Sequence, residues 1–107
     1  MNNELYKIPG SSSEVVDVGR IPEMKQSTRK NKKYMIKVNN KWIHFGDTRY
    51  QQYKDRTPLK LYSSLDHKDS ERRANYLKRA KGIKNKYGQL TYLDINSPNY
   101  HSVRYLW

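Results

Sequence analysis

Cysteine is absent from this 107-residue chain, and that absence excludes a disulfide framework, a thiolate metal site and a cysteine nucleophile. Acidic residues are scarce: 10 Asp and Glu stand against 22 Lys and Arg, for a net charge of +12. Such a balance attracts phosphate or an acidic protein surface and says little about fold. Only 35% of residues are hydrophobic, and ten of these are Tyr against a single Phe. With few aliphatic side chains, a core has to be built largely from Tyr, Trp and Leu. Tyr favours half-buried sites where its ring packs and its hydroxyl finds a partner. No apolar run approaches the roughly 20 residues that span a bilayer. The opening MNNELYKIPG lacks the basic-then-apolar order of a secretory signal. These features lead us to expect one small domain at most, made in a reducing cytoplasm and without a membrane partner.

What is present is concentrated between Lys33 and Asp55, KYMIKVNNKWIHFGDTRYQQYKD. Alternating apolar residues run into Asn39-Asn40 and out again. Asn tolerates positive φ, so this pair suits a two-residue type I′ turn. The register then pairs Val38 with Lys41, Ile36 with Ile43 and Tyr34 with Phe45 on an apolar face. Lys37 faces Trp42 and Met35 faces His44 on a mixed one. A second element is a helix over 66–81. Asp66 or Asp69 caps its start, basic residues fill its last turn, and Gly82 follows in the C′ position. Its apolar stripe, Tyr76, Leu77, Ala80 and Ile83, is expected to pack on the hairpin, leaving Lys68, Arg72, Asn75 and Arg79 on a free basic face. Arg73, nearer the stripe, is expected to pair with Asp69 four residues earlier. Tyr105 and Trp107 should close the core. The expected core is Tyr34, Ile36, Trp42, Ile43, Phe45, Tyr76, Leu77 and Trp107.

The remaining stretches carry less periodicity. Residues 1–32 read as an extended arm, punctuated by Pro9-Gly10, Ser11-Ser12-Ser13, Gly19 and Pro22. Its apolar clusters, Leu5-Tyr6-Ile8, Val15-Val16-Val18 and Ile21, are spaced as anchors for a partner's surface. Lys25–Lys33 reads as a basic connector. Leu59, Leu61, Tyr62 and Leu65 fit a short strand or a helical turn equally well, and Ser97-Pro98-Asn99 reads as a turn. The fold class is therefore α+β: a small hairpin-based antiparallel sheet with one packed amphipathic helix over 33–107, and a long N-terminal arm over 1–32.

No catalytic or metal-binding constellation stands out. His44, His67 and His101 are widely spaced, and no pair has the four-residue helical spacing of a zinc site. Asp66-His67 and Asp69 are explained by helix capping, and Asp47 and Asp55 by turns. There is no glycine-rich phosphate loop and no nucleophile elbow, so neither a cofactor nor an enzymatic activity is expected. Arg72-Arg73, Lys78-Arg79, Lys81, Lys84 and Lys86, interleaved with Tyr76 and Tyr87, could cover phosphates and stack bases. No base-reading motif accompanies them, so any DNA binding would be sequence-independent.

His44-Phe45-Gly46-Asp47 after a hairpin, then Asp66-His67, then Arg72-Arg73 with Tyr76 three residues on, resemble a family of small basic proteins of uncharacterised biochemistry found in tailed phages and large DNA viruses. The closing Tyr105-Leu106-Trp107 matches as well. The likeness covers 33–107 and not the arm. Where the family's helix finishes Arg-His, this chain has Arg79-Ala80, so no role for that histidine carries over. Beyond that family, the chain as a whole resembles a phage structural protein, and this likeness implies a virion component, an auxiliary capsid protein bound to the major capsid protein in many copies, without catalysis or a small-molecule substrate. The basic face fits either an acidic capsid surface or packaged DNA. The alternative is a sequence-independent DNA-binding protein of the packaged or replicating viral genome.

Overall fold

The computed structural model describes residues 23–107. Three antiparallel strands, β1 (Met24–Gln26), β2 (Lys32–Val38) and β3 (Lys41–Asp47), form a meander in that order. Two helices follow, α1 (Ser70–Ala80) and α2 (Pro98–Tyr105), with single 3-10 turns at Ser63–Leu65 and Thr91–Leu93. The β2–β3 hairpin has the expected register throughout, from Tyr34 opposite Phe45 to Val38 opposite Lys41. Asn39 and Asn40 take φ of 49° and 66°, the doubly left-handed geometry that lets a two-residue turn follow the strands' twist. The expected arm and its anchors Leu5, Tyr6, Ile8, Val15, Val16, Val18 and Ile21 lie outside the described residues. Met24–Gln26, placed by the sequence reading in the arm and connector, pairs instead with β2, Met24 opposite Ile36 and Gln26 opposite Tyr34. A strand of three residues is too short to show a period.

One face of the sheet carries Met24, Tyr34, Ile36, Val38, Ile43 and Phe45, all buried, and Leu106 closes over them. Trp42, expected in the core, is half-buried on the opposite face. Its pairing with Lys37 puts it on the sheet face away from the core cluster, where the amines of Lys25 and Lys37 lie 5.3 and 5.7 Å from its ring. The helix that lies on the sheet is α2, against β3, while α1 packs on α2. This differs from the expected packing of α1 on the hairpin. Phe45 meets the rings of His101 and Tyr105, with centroids 5.7 and 6.0 Å apart. Tyr76 and Leu77 are only half-buried and Ile83 is exposed, because among the described residues the α1 stripe has α2 and the chain end beside it. Ser97-Pro98-Asn99, expected as a turn, starts α2. Ser97 caps α2 by accepting from the Asn99 amide at 3.2 Å, and Pro98 sits in the first turn, where its missing N–H costs nothing.

The segment between β3 and α1 has little regular structure and is held by side chains. Asp55, 2% exposed, accepts from the Thr57 amide and hydroxyl at 3.0 and 2.6 Å, from the Tyr62 amide at 3.1 Å and from the Tyr34 hydroxyl. Tyr34 in turn accepts from the Leu61 amide at 2.8 Å. Asp66 accepts from the Gln52 amide group at 2.6 Å and from the Asp55 backbone at 2.8 Å. Use of Asp66 here explains why α1 begins at Ser70, later than expected, with Asp69 as its cap. The Lys54 and Arg56 amides then donate to the carbonyls of Leu106 and Tyr105 at 3.1 and 2.9 Å, which ties this segment to the end of α2.

Gly46 sits where the chain leaves no room for a side chain. Its φ is +78°, and a Cβ there would stand 2.9 Å from Leu106 Cδ1 and 3.0 Å from Lys33 Cβ. Gly88 has the same conformation, φ +79°, with nothing within 4 Å. Gly88→Ala should therefore cost only the left-handed strain, about 1–2 kcal/mol. Gly46→Ala should cost that plus about 1–3 kcal/mol for overpacking. Urea unfolding of both variants checks this; equal losses would mean the Gly46 contact is not tight.

Candidate functional site

On α1, Arg72, Tyr76 and Arg79 recur at four and three residues and share one side of the helix. They form one wall of a cleft of about 450 Å³. Lys32, Gly46 and Asp47 at the ends of β2 and β3, with Tyr50 and Gln51, form another. Pro98, Asn99, Ser102, Leu106 and Trp107 line the third side. Of the expected basic face, Arg72 and Arg79 reach this cleft. Lys68, exposed with φ 55°, precedes α1 and does not line it.

The charges of the cleft are unequal in freedom. Arg72 donates to Gln51 Oε1 at 3.0 Å and is exposed. Asp47 is held by Arg49, whose Nε and Nη2 donate at 3.0 and 2.7 Å. Those bonds draw the Asp47 carboxyl down to about 2. Lys33 lies at the back with its side chain buried, and its amine donates to the Tyr50 carbonyl at 2.9 Å and to Gln52 Oε1. Burial pushes that amine down to about 8, against the pull of Asp55, Asp47 and Asp66. Burial, with a hydrogen bond to Asp55, likewise raises the Tyr34 phenol to about 12.

Arg73 does not pair with Asp69. Asp69 Oδ1 already accepts from the Glu71 and Arg72 amides. The guanidinium of Arg73 instead donates to the main-chain oxygen of Trp107 and lies 5.3 Å from the Tyr53 ring. Trp107 stacks on Tyr76, with centroids 3.9 Å apart and planes 6° off parallel. His67 leans on the same ring at 5.2 Å. Trp107, expected to close the core against the helix or hairpin, is half-buried and packs on the helix, at Tyr76. Asn99 was missed. It donates to the Ala80 carbonyl at 2.8 Å and to Thr91 Oγ1 at 3.0 Å, supplying a partner to one of the carbonyls that a helix end leaves free.

The histidines are internal parts. His44 Nδ1 pairs with Ser27 Oγ at 2.7 Å, His67 Nδ1 accepts from the Asp69 amide at 2.9 Å, and His101 Nε2 donates to the Ile95 carbonyl at 2.7 Å. Burial is the main cause that keeps all three below the usual imidazole range. Among the described residues no group of three or more acidic or imidazole side chains could hold a metal ion. No described helix is long and apolar enough to cross a membrane.

Neighbours on α1, Arg72 and Arg73 should respond differently to truncation. Arg73→Ala removes a charged hydrogen bond and a ring contact and should cost about 1.5–3 kcal/mol. Arg72→Ala changes an exposed contact and should stay within about 0.5 kcal/mol. Chemical denaturation distinguishes them, and equal losses would contradict the anchoring role of Arg73.

Residues 23–80 match the model of a family of unknown function, DUF5754. The match runs from β1 through α1 and includes the hairpin, Asp55 and the Arg72–Arg79 wall, but not α2. Searches of curated proteins and of solved structures return no match. With more than half of its length matched, this chain belongs to the DUF5754 family.

Proposed function

We propose that this protein is a virion structural protein, an auxiliary (minor) capsid protein that binds the major capsid protein in many copies and reinforces the shell. It would be assembled in the host cytoplasm, with the N-terminal residues as a tether. The resemblance of 33–107 to small basic phage proteins supports this, and the chain as a whole resembles the auxiliary capsid protein of a crAss-like Bacteroides phage. The observation that carries the reading is how the resembling motifs are used. Asp47 is spent on Arg49, Asp66 on Gln52 and Asp55, His67 on the Asp69 amide and Arg73 on Trp107. Side chains engaged in this way hold a shape; they are poorly placed to turn over a substrate. Outside them lies an exposed basic surface, suited to docking on acidic protein. A small module repeated on a lattice gains avidity without large individual interfaces.

One observation favours the alternative, sequence-independent DNA binding. Trp42, with Lys25 and Lys37 beside its ring on the sheet face away from the core cluster, combines a ring with cations as single-strand platforms do.

Deleting residues 1–22 separates the two readings and spares Met24, which is part of the core. The deletion removes three acids, two bases and the apolar anchors, each anchor worth about 1.5–3 kcal/mol when buried. A tethered capsid protein should lose most of its copies per purified particle, while the salt dependence of its DNA binding stays unchanged. Normal copy number without residues 1–22, together with DNA affinity falling steeply with salt, would overturn the capsid reading.

A further inference from the structure

Resting on the reading of the protein as a docking module, we propose that the cleft between α1 and the ends of β2 and β3 binds an acidic peptide segment of the protein partner. Carboxylates would pair with Arg72 and Arg79, and an apolar side chain would sit between them.

Arg72 and Arg79 are seven residues apart on one side of α1, about 10 Å along the helix axis. Both are exposed, with Lys32 across the cleft. Arginine presents a planar fork that matches carboxylate geometry. Between the two arginines the wall is Tyr76, and Leu106, Pro98 and Gly46 add apolar surface. Two anion positions about 10 Å apart suit carboxylates three residues apart in a polyproline II segment, whose three-residue turn rises about 3.1 Å per residue and returns both to one side.

Nucleic acid fits this cleft less well. Base stacking requires a free ring face, and Trp107 already has Tyr76 against one face and His67 leaning on it. Tyr50 also lines the cleft, but the Arg49 guanidinium lies over its ring at 5.8 Å.

The test uses the full chain and a fluorescein-labelled peptide with two glutamates three residues apart and a leucine between them. A lysine-for-glutamate peptide and a single-stranded oligonucleotide serve as comparisons. Binding is read by anisotropy and folding by thermal unfolding. Arg72→Glu/Arg79→Glu should weaken the glutamate peptide about tenfold or more. Lys84→Glu/Lys86→Glu, an equal charge change elsewhere on the surface, should change it less than about twofold. Equal weakening by the two pairs would reduce the effect to net charge and overturn the proposal. So would a cleft variant that loses the oligonucleotide while the native chain ignores the glutamate peptide. Particle incorporation separates this proposal from the reading beneath it. If the Arg72/Arg79 variant enters particles at full copy number while the 1–22 deletion does not, the cleft assignment fails and the capsid reading stands.

Discussion

The buried carboxylate of Asp55 is the constraint on which the rest of this small structure depends. A chain with so little aliphatic material cannot close its core by burial alone, and its central ring is a tyrosine whose hydroxyl must be paired. Asp55 pairs it, and with its remaining lone pairs fixes the Thr57 and Tyr62 amides. Burial by itself would raise the Asp55 pKa, but hydrogen bonds from Thr57, Tyr34 and the Tyr62 backbone outweigh it and hold the group below the ordinary carboxylate range. Because the folded pKa lies below the unfolded one, this contribution is fully present above about pH 4 and is lost as the pH falls further. The adjacent Lys54 and Arg56 amides carry the constraint onward to the carbonyls of Leu106 and Tyr105.

The parts of the fold that were legible in the sequence are those specified by neighbours in the chain. Asn39-Asn40 and strict alternation determine the hairpin and its register, and Asp69 with a basic last turn determines α1. What could not be read depends on pairings across long separations. Tyr34 with Asp55, Gln52 with Asp66 and Arg73 with Trp107 leave no period in the sequence. Ser97-Pro98-Asn99 is ambiguous for another reason: the chemistry that makes a turn also starts a helix. Trp42 was placed in the core by residue type although its own pairing with Lys37 put it on the other face. For Arg73, spacing suggests Asp69, but the main-chain oxygen of Trp107 and the Tyr53 ring take its guanidinium instead.

The same division applies to the candidate site. Arg72 and Arg79 were identifiable from helical spacing as a free basic side. That they face a cleft, with Lys32 opposite and α2 beneath, depends on α2, which lies outside the residues that match the family. The matched region supplies the cationic wall, and the C-terminal helix supplies much of the surface it works against. The motif residues brace the fold around α1, and the spacing of the two arginines is set by the helix itself.

Amide hydrogen exchange in Asp55→Asn compared with the native chain tests this dependence most directly. The asparagine keeps the size of the aspartate but turns an N–H toward the Tyr34 hydroxyl or the backbone donors, leaving buried groups unpaired at about 1–3 kcal/mol each. The account predicts that the Lys54 and Arg56 amides, which Asp55 does not touch, lose protection about 10–100-fold together with those of Thr57, Leu61 and Tyr62. Loss confined to Thr57 and Tyr62, with Lys54 and Arg56 as protected as before, would contradict it.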